Sequence, residues 1–177
     1  MQSLSQFASD RATRSRTPAG SAGLRPAAGV LAWLLSLPAC GADLLDGLDA
    51  QPLAVETADG KRHELLVYVA RTDEQKRTGL MFVEALPPGR GMLFTYDPPR
   101  IVSMWMKNTL ISLDMLFVRS DGIVERIAAR TEPLSERRHV SGGEVSAVLE
   151  LNGGTAETLG IRAGARLLHP WFVQRDH

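Results

Sequence analysis

Apolar runs of strand length, each ended by turn-forming residues, dominate residues 53–172 and restrict the fold more than any other feature. Two of these runs, 53–57 and 63–70, flank Asp59-Gly60, a dipeptide that favours tight hairpin turns. Ser120-Asp121-Gly122 separates two later runs in the same way. Further strands are predicted at 91–96, 101–106, 113–119, 123–130, 144–151 and 166–172. We therefore expect strands to outnumber helices.

One helix has clear boundary signals. Thr72 suits an N-cap, and Gln75 three residues later completes a capping box. Asp73 and Glu74 would lie at the positive end of the helix dipole. The pattern predicts a helix from residue 73 to about residue 79 or 83.

A second, shorter helix is predicted at 155–160, where Thr155 would cap the first turn and Gly160 would end it. Residues 131–143 are polar and contain Pro133, so they are interpreted as a loop. Together the elements predict a mostly β (α+β) domain. The expected architecture is a compact antiparallel sheet or partly closed small barrel with one or two short helices.

Length and composition exclude several classes of protein. The chain has 177 residues, enough for one domain with a substantial core but few for two. Its formal net charge is zero, so no basic excess favours nucleic acid. Its single cysteine excludes an internal disulfide and a cysteine-based zinc cluster, and its four histidines are not paired at metal-ligand spacing. We expect no metal and no cofactor.

The first 39 residues differ in character from the rest. Residues 1–26 are rich in Ser, Ala, Gly and Arg, and an apolar run follows at 27–39. A membrane-spanning helix needs about 20 apolar residues, whereas the core of a signal peptide needs roughly 7–15. The run therefore predicts an export signal over residues 1–39.

The end of this run leaves the mode of export open. Leu37-Pro38-Ala39-Cys40 resembles the lipobox of bacterial lipoproteins, in which the cysteine thiol receives a diacylglycerol. Ordinary signal-peptidase cleavage near residues 40–42 is the alternative, and an uncleaved anchor or a downstream start is a third. The expected location is the periplasm, either free or held to the membrane by a lipid on Cys40.

The remaining chain divides into a linker at 40–51, a single globular domain at 52–173 and a tail at 174–177. Residues 40–177 hold 16 Lys and Arg against 19 Asp and Glu. That balance predicts no cationic face for nucleic acid or lipid headgroups. Membrane attachment would therefore come only from the N-terminal signal or its lipid.

A concentrated polar stretch, Trp105-Met106-Lys107-Asn108-Thr109, is followed at once by Leu110-Ile111-Ser112-Leu113-Asp114. It combines an aromatic ring, an ammonium, an amide and a carboxylate between apolar runs. Such a mixture indicates either a functional site or a network of polar residues that stabilises a small core. Lys107 and Asp114 could meet across the intervening turn, and Glu150 could join them from a neighbouring strand.

Five ordered motifs resemble the domain-of-unknown-function family 192 over residues 53–172. They are Arg77-Thr78-Gly79-Leu80-Met81, Gly91-Met92-Leu93-Phe94, Trp105-Met106-Lys107-Asn108-Thr109, Leu113-Asp114 and Val148-Leu149-Glu150-Leu151-Asn152-Gly153-Gly154. Gly160-Ile161-Arg162-Ala163-Gly164 fits the same pattern. The resemblance implies a small β-rich domain, commonly exported in bacteria, with no established activity.

Two functional hypotheses follow. The first is a non-enzymatic domain that binds a small ligand, an envelope polymer or a protein. Its binding residues would be Arg77, Trp105, Lys107, Asn108, Asp114 and Glu150. The second is a hydrolase- or lyase-type enzyme that uses Lys107, Asp114 and Glu150 as acid–base groups. A structural role remains open for each polar residue, with Lys107 and Asp114 as an ion pair and Arg77 bound to Asp114 or Glu150.

The methionines also allow two interpretations. As core residues they fill irregular gaps, whereas an exposed row of thioethers would form a promiscuous surface or a copper(I) site. Exposure distinguishes the two interpretations. The five methionines concerned are Met81, Met92, Met104, Met106 and Met115.

Overall fold

Seven strands form one sheet in the computed structural model, which describes Leu45 and residues 47–173. The predicted export signal, Cys40 and the tail at 174–177 lie outside the described residues. Within them the elements are β1 Asp49–Glu56, β2 Arg62–Ala70, α1 Asp73–Thr78, β3 Arg90–Met104, β4 Leu113–Val118, β5 Val124–Ala128, β6 His139–Asn152, α2 Thr155–Thr158, β7 Arg166–Leu168 and α3 Pro170–Val173. No helix in this part of the chain is long and apolar enough to cross a membrane.

The strand order is β5-β4-β6-β3-β2-β1-β7, and every pairing is antiparallel except that of β2 with β3. The two edges of the sheet approach each other at one end. There Ile123 forms a bridge with Arg166, and the Val124 N–H donates to the Ala165 carbonyl at 2.8 Å. The sheet is therefore a curled half-barrel, which confirms the predicted mostly β fold.

The two faces of the sheet carry separate apolar cores, because successive side chains of a strand point to opposite faces. The inner core takes buried side chains from all seven described strands, including Leu149 and Leu151 of β6. The outer core lies on the other face of β3, β4 and β6, where residues 80–86 cover it. Val148 belongs to the outer core, and Glu150 shares its face by strand alternation.

The capping box is present at the start of α1. The Thr72 hydroxyl accepts from the Gln75 N–H at 3.1 Å, and the Gln75 side chain accepts from the Thr72 N–H at 2.9 Å. Two of the four free N–H groups of this helix end are thereby satisfied. The helix is confirmed, and it ends at the shorter predicted limit with Gly79 as its C-cap.

Several element boundaries differ from those expected. β1 begins at Asp49 and Leu45 is buried, so the folded region begins inside the predicted linker and before residue 52. β3 is continuous where two strands were predicted. The predicted loop at 131–143 ends earlier than expected, because β6 already starts at His139 and pairs with Met104. The predicted final strand is reduced to β7 and is followed by α3.

Candidate functional site

A cleft of about 430 Å³ lies between the end of α1, strand β3 and the turn at 106–109. Four cationic side chains line it, namely Lys76, Arg77, Lys107 and Arg138. Its walls also include Phe94, Tyr96 and Trp105, and Glu150 is its one carboxyl-bearing residue among the described lining residues. The cleft thus combines a cationic lining, aromatic walls and a single acid.

Glu150 lines the cleft from β6, and its sequence neighbours Leu149 and Leu151 are buried apolar residues. Its register neighbours are Met92 on β3 and Met115 on β4, both fully buried, and Glu150 itself is only 4% exposed. No described residue makes a hydrogen bond to its carboxyl group. Burial raises the pKa of Glu150 from 4.5 to about 8. At neutral pH the group is therefore mainly a protonated, neutral hydrogen-bond donor.

Two aromatic rings hold cations at the edge of the cleft. Lys76 Nζ and the Arg100 guanidinium lie 5.2 and 4.8 Å from the Tyr96 ring centroid. Desolvation and then repulsion from Arg100 lower the pKa of Lys76, while desolvation raises the pKa of the Tyr96 hydroxyl well above its usual value. Tyr96 therefore stays neutral over the physiological range.

Trp105 carries a second pair of cations. Lys107 Nζ lies 5.1 Å from its ring centroid and the Arg138 guanidinium lies 4.3 Å from it. A cation over an aromatic face within about 6 Å is attracted by the ring quadrupole. Trp105 thus positions charged groups beside the cleft and also forms part of its wall.

The Trp105-to-Thr109 motif makes one wall of the cleft through a tight turn. The Thr109 N–H donates to the Met106 carbonyl at 3.0 Å, and Asn108 has a φ of 55°. Asparagine is among the residues that tolerate this left-handed conformation best. The Asn108 side-chain amide lies 3.9 Å from the Met81 sulfur, so both groups border the cleft.

Asp114 lies outside the cleft, on the opposite face of the sheet. Its carboxylate is fully buried and accepts three backbone N–H bonds, from Arg130 at 2.8 Å, Gly154 at 3.0 Å and Ala156 at 2.8 Å. It therefore caps α2 from a neighbouring strand. The predicted cap by Thr155 is wrong, because Gly154 is the N-cap residue and has no side chain to serve.

The contacts expected among the polar residues do not form. The ammonium of Lys107 lies 3.8 Å from the Glu136 carboxylate, and its side chain is 45% exposed. Asp114 is satisfied by backbone groups, so no Lys107–Asp114 ion pair exists. Arg77 is exposed at the rim of the cleft and makes no ion pair with Asp114 or Glu150. Of the six predicted binding residues, the cleft brings together Arg77, Trp105, Lys107, Asn108 and Glu150.

Sequence analysis did not identify Lys76, Tyr96 and Arg138 as site residues. Tyr96 could have been found by strand alternation, since it shares a face with Met92 and Phe94. Lys76 and Arg138 have no such signal, because a cation in a last helical turn or a polar loop is usually a solvated surface residue.

None of the five methionines is exposed, so they do not form the exposed row of thioethers. Met92, Met106 and Met115 are fully buried core residues, whereas Met81 and Met104 line the cleft. The Tyr96 hydroxyl lies 3.7 Å from the Met104 sulfur, a weak hydrogen bond. Within the described ranges, no group of three or more His, Cys, Asp or Glu side chains could hold a metal ion.

The fold and the cleft define a class of small half-barrel domain with a cationic, aromatic-walled cavity and one buried acid. The chain belongs to the DUF192 family, described as an uncharacterized ACR, whose model matches residues 54–169. This match covers the end of β1, all of β2 to β7, the turn at 106–109 and every described cleft residue. No protein with a curated functional description matches the chain.

The solved structures that are similar to this chain include two proteins with about 40% sequence identity to it. A protein from Sinorhizobium meliloti 1021, described as a candidate transcription regulator, is 41% identical with a TM-score of 0.67; the match covers 68% of this chain and 94% of that one. A protein of unknown function from Novosphingobium aromaticivorans DSM 12444 is 40% identical with a TM-score of 0.68, and the match covers 70% and 88% respectively. Both support the half-barrel fold.

Proposed function

We propose that this domain binds a small anionic ligand in the cleft and does not transform it. The observation that carries the proposal is the pairing of four lining cations with an acid that burial keeps neutral. An ionised carboxylate at this position would repel an anion. A protonated one instead offers an O–H donor at the base of a positively charged cavity.

The physical chemistry of the cleft favours a carboxylate or phosphate group. Hydrogen bonds between an ionised acceptor and Arg or Lys contribute about 1.5–3 kcal/mol each, roughly twice a neutral bond. The aromatic walls lower the local dielectric and so strengthen these contacts. A volume of about 430 Å³ fits a small molecule better than a folded partner.

We place this activity in the bacterial envelope. The support is the Arg-containing, short apolar leader at 1–39 and the lipobox-like sequence ending at Cys40. On this proposal the binding domain faces the periplasm, either free or tethered through Cys40.

Acid–base catalysis is the second candidate, because a carboxyl group with a pKa of about 8 in a cleft has the properties of a general acid. Its weakness is that neither of the two partners predicted for Glu150 is placed to exchange a proton with it. The Asp114 carboxylate accepts hydrogen bonds from three backbone N–H groups, and the Lys107 side chain is 45% exposed at the rim of the cleft. A bound anion recovered chemically unchanged after prolonged incubation would favour binding over catalysis.

The cleft cations should be required for anion binding. We expect the triple variant Arg77→Gln/Lys107→Gln/Arg138→Gln to bind inorganic phosphate and butanoate at least tenfold more weakly than the unaltered chain, since three favourable charges are lost. Isothermal titration calorimetry measures the affinity. The matched control, Lys61→Gln/Arg62→Gln/Arg119→Gln, removes three exposed cations outside the cleft. Equal weakening in both triple variants would contradict a role for the cleft.

Anion affinity should fall as the pH rises through about 8, where Glu150 loses its proton. Below that pH the neutral carboxyl donates to the ligand, and above it a negative charge opposes the ligand. We expect Glu150→Gln to remove this dependence, because its neutral amide can still donate. Butanoate affinity measured from pH 6 to pH 9.5 checks the prediction. Parallel pH profiles for the variant and the unaltered chain would contradict it.

A further inference from the structure

Two bulky apolar residues flank the cleft turn in an unfavourable backbone conformation. Phe82 has a φ of 63° and Leu134 a φ of 61°, values that L-residues other than Asn and Asp seldom adopt. Both side chains are largely exposed, at 53% and 59%. The backbone is therefore strained at the same positions where apolar surface remains in water.

Backbone hydrogen bonds fix both residues to the same turn. The Phe82 N–H donates to the Asn108 carbonyl at 2.8 Å, and the Leu134 N–H donates to the Thr109 carbonyl at 3.0 Å. Leu110, the next residue along, is itself 43% exposed. Three large apolar side chains thus surround one turn, and we call Phe82, Leu110 and Leu134 the apolar lip.

Roughly half of the surface of each lip residue stays in water, so the fold gains only part of the stabilisation that full burial would give. Asparagine would keep the left-handed backbone with less strain, and any polar residue would avoid exposed apolar surface. Strained residues of this kind are characteristic of functional sites. We therefore expect an apolar group to bind at the lip and remove it from water.

The cleft identifies that occupant, because two residues of the lip are chain neighbours of residues that line the cleft. Phe82 follows Met81, and Leu110 follows Thr109; Met81 and Thr109 both line the cleft. The Phe82 and Leu134 N–H groups also donate to the Asn108 and Thr109 carbonyls, so the lip adjoins the turn that forms one wall of the cleft. That turn would lie beside a charged group bound among the cleft cations. An alkyl chain attached to that group is the part that would cover the lip.

We infer that the ligand is an amphiphilic anion, with a carboxylate or phosphate head in the cleft and an alkyl chain on the apolar lip. This inference rests on the proposed function and specifies its ligand class. The head satisfies the Glu150 donor and the cations, and the chain removes the apolar lip from water. Specificity then depends on both parts of one molecule.

A chain-length series tests the inference on the full chain. Butanoate, octanoate and decanoate are titrated below their micelle concentrations, with nonyltrimethylammonium as a cation carrying the same nine-carbon tail as decanoate. The test variant is Phe82→Asn/Leu134→Asn, which keeps residues suited to positive φ. The control is Ile101→Asn/Val173→Asn, which removes two exposed apolar side chains, 63% and 73% exposed, that do not line the cleft. All variants keep residues 1–46, so alkyl binding to that segment is the same in each.

For the unaltered chain and the control, we expect affinity to rise about twofold per added methylene, as for a half-covered alkyl chain. The test variant should bind butanoate normally and decanoate at least tenfold more weakly. The cationic amphiphile should bind more weakly than decanoate throughout. These results together would support the inference.

Other outcomes separate the two proposals. If butanoate binds but longer chains bind no better, the amphiphile inference fails while the anion site stands. If no anion binds, the proposed function fails as well. If sedimentation shows that the unaltered chain self-associates through the lip and the test variant does not, a second copy is the occupant and the inference is overturned.

Discussion

Replacing Asp114 with alanine should destabilise the domain by about 3–5 kcal/mol, because three buried N–H groups lose their acceptor at once. The carboxylate is fully buried and joins Arg130, Gly154 and Ala156. Its removal leaves the start of α2 and the segment that follows β5 without their link to β4. Urea unfolding followed by circular dichroism measures the change in free energy.

Asp121→Ala is the matched control for this substitution. Asp121 also accepts a backbone N–H, that of Ile123 at 3.1 Å, and pairs with Arg119 at 2.9 Å, but its side chain is 52% exposed. We expect a loss of less than about 1 kcal/mol there. Asp114→Asn should fall between the two, because the amide keeps one accepting oxygen. An Asp114→Ala variant as stable as the control would contradict a structural role for this carboxylate.

The positions of Asp114 and Glu150 on opposite faces of the sheet could not be predicted from the sequence. Both were expected at one site, since both are acids in apolar strands within family motifs. The register pairs Met115 with Glu150 and Asp114 with Leu151, which puts the two acids on opposite faces of the sheet. A shift of one residue in pairing would have reversed this arrangement. Register depends on long-range packing, so a single sequence does not reveal it.

Structural features that depend on neighbours in sequence are predicted correctly more often than those that depend on distant residues. The capping box at Thr72 and the hairpin turn at Asp59-Gly60 involve neighbours in sequence, and both predicted elements are present. The cleft instead joins α1, β3, the 106–109 turn and Arg138, which are far apart along the chain. Its cations resemble ordinary surface residues in sequence. Only the folded structure shows that they line one cavity.

The domain should become less stable as the pH rises from about 5 to about 8, because of the single buried carboxyl group of Glu150. In the unfolded chain its carboxyl titrates near 4.5, whereas in the folded domain its pKa is about 8. Between these values the folded state holds a proton that the unfolded state releases, so raising the pH favours unfolding. The slope approaches about 1.4 kcal/mol per pH unit and vanishes outside this window.

Glu150→Gln isolates this contribution, because glutamine has nearly the same shape and never ionises. His169 acts in the opposite direction: burial lowers its pKa, so its contribution to stability rises with pH until about 6.5. That effect is common to both proteins and cancels in the difference between their unfolding free energies. Urea unfolding at intervals from pH 5 to pH 9 should show the variant gaining stability relative to the unaltered chain as the pH rises. A constant difference would mean that Glu150 ionises as readily in the folded domain as in water, and the cleft would then contain a negative charge that repels anions.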